Sequence, residues 1–149
     1  MASNATSRQT VREHLATLLH TRLVTTLTSA QVVYDYVPAD FDGQSPAVCV
    51  TSMGTDRAQL GFGEDYNSAY QLAIVVYVLY AEQGTAYGED DAEDVLDLLE
   101  KQIADCLMDY RQVAGKWDSL LHNDMTRIDY VTIGGATYKQ EVIAVVIEE

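Results

Sequence analysis

One stretch of the chain is apolar on both of its alternating faces. Residues 70–80, YQLAIVVYVLY, contain no Gly, no Pro and no charge, and are rich in β-branched and aromatic side chains. Strand side chains alternate, so Ile74 and Val76 share one face while Val75 and Tyr77 share the other. A strand apolar on both faces is normally covered on both. We therefore predict a central strand, with helices over one face and a second cover, from this chain or another copy, over the other.

Two segments have the spacing of amphipathic helices. The first starts with a capping-box pattern at Thr10, or one turn earlier at Thr6 or Ser7, and its apolar positions continue to about residues 26–29. The second starts with a capping box at Asp90. Its apolar stripe consists of Ala92, Val95, Leu96, Leu99, Ile103, Leu107 and Tyr110. We expect both helices to pack on one face of the sheet.

Two shorter strands and a long connection precede the central strand. Gln31–Val37 and Ala47–Thr51 are predicted strands, and Ala39–Pro46 between them is rich in the turn formers Asp, Gly, Ser and Pro. If that connection is a simple hairpin, the two strands are antiparallel. Met53–Ser68 contains three glycines, and loops of this length are usually functional or mobile. We predict that it is a docking loop or an extended hairpin tip.

The C-terminal part of the chain has the pattern of a β-hairpin. Arg127–Ile133 and Ala136–Ile147 flank Gly134 and Gly135, and a two-residue glycine loop suits a primed hairpin turn. The irregular stretch before it carries Trp117, which we expect to anchor a short turn on the core. The whole chain, residues 1–149, is thus predicted to be one α+β domain. Its mixed or antiparallel sheet follows the order α-β-β-β-α-β-β.

Charge narrows the classes of function. The formal net charge is −14 and the pI is about 4.3, which argues against binding of a phosphate backbone as the main source of affinity. The charge is uneven along the chain. Residues 1–30 carry Arg8, Arg12 and Arg22 against a single acidic residue, whereas the second predicted helix is strongly acidic. The two predicted helices therefore carry net charges of opposite sign.

No motif in the sequence predicts a catalytic, cofactor or metal site. The Gly61-Phe62-Gly63 pattern lacks the third glycine and the following helix of a nucleotide-binding loop. The carboxylates that begin the second helix complement its dipole. Cys49 and Cys106 are expected to be buried thiols. With no secretory signal and no apolar run of membrane-spanning length, we expect a chain made in the cytoplasm, without cofactor, metal or membrane contact.

The order of these segments resembles a known family. An N-terminal amphipathic helix is followed by VVYDYVPADFDGQSPAVCV, a long loop, the apolar strand, an acidic helix and IDYVTIGGATYKQEVIAVVIE. Over residues 10–149 this pattern is similar to the tail terminator (tail completion) proteins of long-tailed bacteriophages. The resemblance implies a non-enzymatic virion protein of the tail and neck, assembled in the host cytoplasm. It would form a ring, expected to be a hexamer, that binds the tail tube protein and the head-side neck proteins while DNA passes through without specific binding.

Candidate interface residues follow from this hypothesis. We expect contacts with a ring neighbour or partner from aromatic and apolar side chains and from the basic residues of the first helix: Phe41, Leu60, Phe62, Tyr66, Tyr77, Arg8, Arg12 and Arg22. Another head-tail connector component, an adaptor or a stopper, is an alternative of the same class. A small hydrolase or ligand-binding α+β domain is an alternative of a different class, and would show carboxylates or histidines converging in a cleft.

Overall fold

The computed structural model describes residues 7–59, 66–79, 89–122 and 125–148. Within them the helices are α1, which continues as a π-helical segment, and α2, and the strands are β1 to β6. Their bounds are Arg8–Leu19 for α1, His20–Thr26 for the π-helical segment, Val32–Tyr34 for β1, Ala47–Gln59 for β2, Tyr66–Leu79 for β3, Glu89–Asp109 for α2, Ser119–Leu121 for β4, Arg127–Ile133 for β5 and Ala136–Glu148 for β6. The predicted α+β class is confirmed, and the short β4 is an addition to the predicted order.

Both helices form where their sequence patterns predict them. The side-chain oxygen of Ser7 accepts a hydrogen bond from the backbone N–H of Thr10, so α1 starts at the earlier of the predicted positions. Its last part widens into π-helical geometry, in which the Leu27 N–H donates to the Arg22 carbonyl five residues before it. The predicted stripe of α2 packs on the core, with Ala92, Leu96, Leu99, Ile103 and Leu107 fully buried.

The strands form a single sheet with β3 and β6 at its centre. The order is β1-β2-β3-β6, and β4 and β5 both pair with the far side of β6 at different positions along it. The prediction of a long loop at Met53–Ser68 is wrong in its length, because β2 continues to Gln59 and β3 already begins at Tyr66. Of the two predicted forms, a docking loop and an extended hairpin tip, the structure has the extended hairpin, in which β2 and β3 pair as far as Gln59 beside Tyr66. A bulge between Ser52 and Gly54 lets the strand pair continue.

The expectation that the first two strands are antiparallel is wrong. β1 and β2 are parallel, with Val32 beside Ala47 and Tyr34 beside Cys49. Parallel neighbours need a crossover of about a dozen residues, and residues 35–46 supply it. Phe41 of this crossover is completely buried against the sheet face that the helices leave open. Its burial gives the crossover an apolar anchor that a simple hairpin loop would not need.

The sheet therefore has a core on each side. On the helix side, α1, α2 and the π-helical segment cover alternate residues of β3 such as Leu72, Ile74 and Val76. On the other side, Val75 and Tyr77 pack with the crossover and with β5 and β6. The predicted burial of both faces is confirmed. The second cover comes from this chain itself at these positions.

The crossover also meets the turn of the last hairpin. Gly134 and Gly135 have φ values of 60° and 83°, which are the positive values of the predicted primed turn. A Cβ atom added to Gly134 would lie 2.6 Å from Cγ of Asp40. The Asp40 carboxylate in turn accepts a hydrogen bond from the Asp42 N–H, at 2.9 Å. The hairpin turn and the crossover thus approach closely at Gly134, where an added side chain would meet the Asp40 carboxylate.

We predict that Phe41→Ala destabilises the isolated chain by about 3–5 kcal/mol, because it leaves a cavity among Tyr34, Tyr77 and Tyr138. Urea unfolding measures the change in the free energy of unfolding. Tyr36→Ala is the matched control in the same crossover, since this side chain is 55% exposed, and we expect a loss below about 1 kcal/mol. Equal effects of the two substitutions would show that Phe41 does not anchor the crossover.

Candidate assembly surfaces

Two of the candidate arginines lie over one edge of the sheet. The guanidinium Nη1 of Arg8 donates to Oγ1 of Thr55 at 3.0 Å, and Nη1 of Arg12 donates to Oγ of Ser52 at 3.2 Å. Both acceptors belong to β2. The Nε of Arg12 is buried and has no hydrogen-bond partner among the described residues. These contacts place two positive charges of α1 beside the edge of β2.

Arg22 has a different environment from the other two arginines. Its Nη2 lies 2.8 Å from a carboxylate oxygen of Asp109, and its guanidinium lies 5.8 Å from the centre of the Tyr110 ring. The hydrogen bond to Asp109 raises the pKa of Arg22. Arg22 therefore ties the π-helical segment to the end of α2 within the chain.

The aromatic candidates separate into buried and undescribed positions. Phe41 is 0% exposed and Tyr77 is 5% exposed, so these two rings form part of the second core and present almost no surface to a partner. Burial raises the pKa of Tyr77 to about 12. Leu60 and Phe62 lie outside the described residues. Tyr66 begins β3, and its side chain also lies outside what the structure describes.

An acidic region lies on the helix side toward the opposite edge of the sheet. Glu93 of α2 forms an ion pair with Lys139 of β6, and Lys139 lies 5.8 Å from the ring centre of Tyr130 on β5. Glu141, two residues further along β6 and on the same face, is buried and accepts a hydrogen bond from the Thr126 hydroxyl. Burial raises the pKa of Glu141, and the neighbouring carboxylates of α2 raise it further: Glu100, Asp97 and Glu93.

An exposed apolar group lies at this same edge. Met125 is 92% exposed, Ile128 is 50% exposed and Tyr130 is 55% exposed. Sequence analysis did not select these residues, although the alternation of RIDYVTI places Ile128 and Tyr130 on one face of their strand. What it could not show is that β5 lies beyond β6 as the outermost of the described strands there. A large apolar side chain in a strand ordinarily lies in the core. Here Ile128 and Tyr130 are exposed because of the position of β5 in the sheet.

An open cleft of about 380 Å³ lies between α1 and β1. Its lining includes Glu13, His20 and Asp35, and in the described structure no hydrogen bond joins any two of these three side chains. The described residues also contain no group of three or more His, Cys, Asp or Glu side chains placed to hold a metal ion. The cleft thus offers polar groups without a paired acid and base.

Comparison with known proteins bears on the fold. No protein-family model and no curated protein matches this sequence. A solved virion structure does match. The matching chain belongs to the virion of a native gene transfer agent particle, with a TM-score of 0.53 and 17% sequence identity over 93% of this chain and 94% of that chain. At this identity the likeness shows a common fold, and it extends over nearly the whole of both chains.

The described helices include none that is long and apolar enough to cross a membrane.

We predict that Glu141→Gln stabilises the chain at pH 7 by about 1 kcal/mol, because it removes a buried charge and keeps an acceptor for Thr126. The folded-state pKa of Glu141 is raised, so its protonation is more favourable in the folded chain than in the unfolded chain. Its contribution to stability is therefore present at low pH and is lost as the pH rises through the folded-state pKa. Thermal unfolding between pH 4 and pH 8 should show a smaller fall with pH in the variant.

Glu148→Gln is the control for this prediction, because Glu148 is an exposed carboxylate on the same strand. We expect it to retain the pH dependence of the parent chain. The prediction is wrong if Glu141→Gln and the parent lose the same stability across this pH range.

Proposed function

We propose that this chain is a structural protein of a phage-like virion, and that it forms a ring capping the tail tube at the joint between tail and head. The observation that carries the proposal is the common fold with a chain of a gene transfer agent virion over 93% of this chain. The family resemblance of residues 10–149 supports the more specific role of a tail terminator. In this role the chain acts by shape and surface complementarity and is not an enzyme.

The distribution of charge supports a head-to-tail ring. α1 carries basic side chains near the β2 edge, whereas α2 carries acidic side chains toward β5 and β6. A ring closed by a heterologous contact joins two different surfaces of each copy, and surfaces of opposite sign favour that arrangement. We expect six copies, with the tail tube protein bound on one side of the ring and the head-side neck proteins bound on the other.

The net charge fits a ring through which DNA passes. Six copies at −14 each carry a formal charge of −84, and a negatively charged conduit repels the phosphate backbone. DNA would then move through the ring without specific binding. The same charge opposes association of the copies at low salt, so apolar burial and local ion pairs must offset it. We place the assembled protein in the tail and neck of the virion, after synthesis in the host cytoplasm.

An adaptor or a stopper of the head-tail connector would use the same fold class and the same kind of contact. Position within the particle separates these roles, because a terminator contacts the last ring of the tail tube. A small enzyme or ligand-binding domain would instead use the cleft near Glu13, His20 and Asp35. No hydrogen bond joins any two of these three side chains in the described structure, and this favours the structural role.

We predict ring-shaped particles by negative-stain electron microscopy of the concentrated protein, and rings at one end of tail tubes taken from the same virion. Association should strengthen as salt rises from low concentration to about 0.5 M, because the Debye length falls to a few ångströms and repulsion between acidic copies weakens. Light scattering across a salt series measures the association. A monomer at every salt and protein concentration that also leaves tail tubes uncapped would disprove the proposed function.

A further inference from the structure

The described strands leave an open strand edge at each side of the sheet. Within the described residues, β5 pairs with β6 alone, so its seven-residue outer edge faces away from the sheet. At the other end, β1 covers β2 only at residues 47–49. Further along β2, residues Thr51–Gln59 pair with β3 on one side, apart from Met53 at the bulge, and have no described strand on the other. Open strand edges are templates for pairing with another chain.

The backbone groups that β5 directs outward follow from its turn. In a two-residue primed hairpin the residues flanking the turn, Ile133 and Ala136, exchange both hydrogen bonds, and this pattern repeats every second residue. The outward N–H and C=O groups therefore belong to Ile128, Tyr130 and Thr132. The N–H of Tyr130 donates to the side-chain oxygen of Asp129 at 3.1 Å. In the single chain, this exposed carboxylate thus shields the middle of the edge.

Strand direction makes the two edges compatible. β2, β3, β6 and β5 are neighbours in that order and each pair is antiparallel, so β5 runs opposite to β2. When a second copy is placed beside the first with the same face of its sheet upward, its β2 lies antiparallel to β5 of the first. The contact joins different surfaces of the two copies, and it therefore repeats from copy to copy and can close into a ring.

Charge favours this partner over two β5 edges facing each other. The helix-side surface near β5 carries Glu93, Asp97 and Glu100, and the helix-side surface near the β2 edge carries Arg8 and Arg12. Joining β5 to β2 brings the acidic surface toward the basic one, whereas joining β5 to β5 would bring two acidic surfaces together. The exposed apolar side chains of β5 would be covered in the same contact.

We propose that β5 of one copy adds to the Thr51–Gln59 edge of β2 in the next copy, so that one sheet continues across the subunits. This rests on the proposed ring and specifies its contact. A register with Arg127 opposite Asp56 puts two exposed residues of opposite charge on the same face. It also puts Asp129 opposite Gly54, where an added Cβ would meet nothing within 4 Å. The Asp129 side chain would then have space, and the Tyr130 N–H would exchange its carboxylate partner for a backbone carbonyl.

Disulfide trapping tests the contact directly. The N–H and C=O groups of Arg127 point toward β6 and not toward the outer edge. Opposite Asp56, Arg127 would therefore form a non-hydrogen-bonded pair, the type in which the two residues lie closest together. We expect a mixture of Arg127→Cys and Asp56→Cys chains to give a covalent dimer under mild oxidation, while each variant alone gives none. The parent chain is the control for Cys49 and Cys106, both of which are buried. A chain with both substitutions should give a ladder of covalent oligomers.

Charge reversal provides an independent measurement in the uncrosslinked protein. We expect Arg127→Glu and Asp56→Arg each to weaken association at least tenfold in sedimentation, because each places like charges opposite one another. The chain with both reversals should regain association to within about threefold of the parent. Thermal unfolding of each variant is the control for folding. Both positions are exposed, so we expect the variants to unfold at the temperature of the parent chain.

The outcomes distinguish this contact from the ring itself. Rings that form without the mixed disulfide and are unaffected by charge reversal would overturn the strand pairing and leave the proposed function standing. A covalent dimer of Arg127→Cys chains alone would show β5 paired with β5, and would overturn the head-to-tail contact. Chains that neither associate nor cap tail tubes under any condition would overturn both proposals.

Discussion

The pairing of β3 with β6 in the middle of the sheet is the interaction on which the rest of this structure depends. The two strands are in register from Ala69 beside Glu148 to Leu79 beside Tyr138, with no described interruption. Their backbone hydrogen bonds are made inside the molecule, and both faces of β3 are removed from water by side chains of this chain. A sheet built on such a pair must find cover on two sides, because each exposed apolar face costs about 25 cal/mol per Å² relative to its burial.

That requirement explains why the small elements lie where they do. Two helices are sufficient for one face of the sheet, and the second face is left to the crossover between β1 and β2 and to the last hairpin. Phe41 contributes the apolar ring, and Gly134 allows the hairpin turn to approach Asp40 of the crossover. The parallel pairing of β1 with β2 is a consequence, because a chain that crosses the second face returns to the sheet in the same direction.

The same arrangement divides the surface into two unlike ends. Because α1 packs over β2 and α2 packs over β3 and β6, the basic and acidic helices flank opposite edges of the sheet. Function in the proposed role does not need a pocket or a reactive group. It needs two complementary edges held at a fixed separation, and a rigid sheet with a core on each face holds them. At the acidic end, β6 carries the buried Glu141 and Lys139, and Lys139 forms an ion pair with Glu93 of α2.

Local periodicity was sufficient to predict the elements and the class of this fold. The two helices, the doubly apolar strand and the glycine hairpin are each specified by residues close in sequence, so their positions could be predicted before any tertiary contact was known. The candidate interface residues depend on tertiary position, which periodicity does not report. Arg8 and Arg12 lie over the β2 edge, whereas Phe41 and Tyr77 are core residues that present almost no surface to a partner. The exposure of Ile128 and Tyr130 follows from the position of β5 in the sheet and was not predicted.

The sequence by itself determined which segments are helices and strands, that β3 is covered on both faces, and that the two helices carry charge of opposite sign. The tertiary structure alone decided what covers the second face, that β1 and β2 are parallel, and which strands lie at the edges. The physical reason is that periodicity reports the faces of one segment, whereas coverage and edge position depend on which distant segments meet. Phe41 lies in a polar loop and would be expected at the surface, but it is buried. Tyr130 lies in an alternating strand and would be expected in the core, but it is exposed.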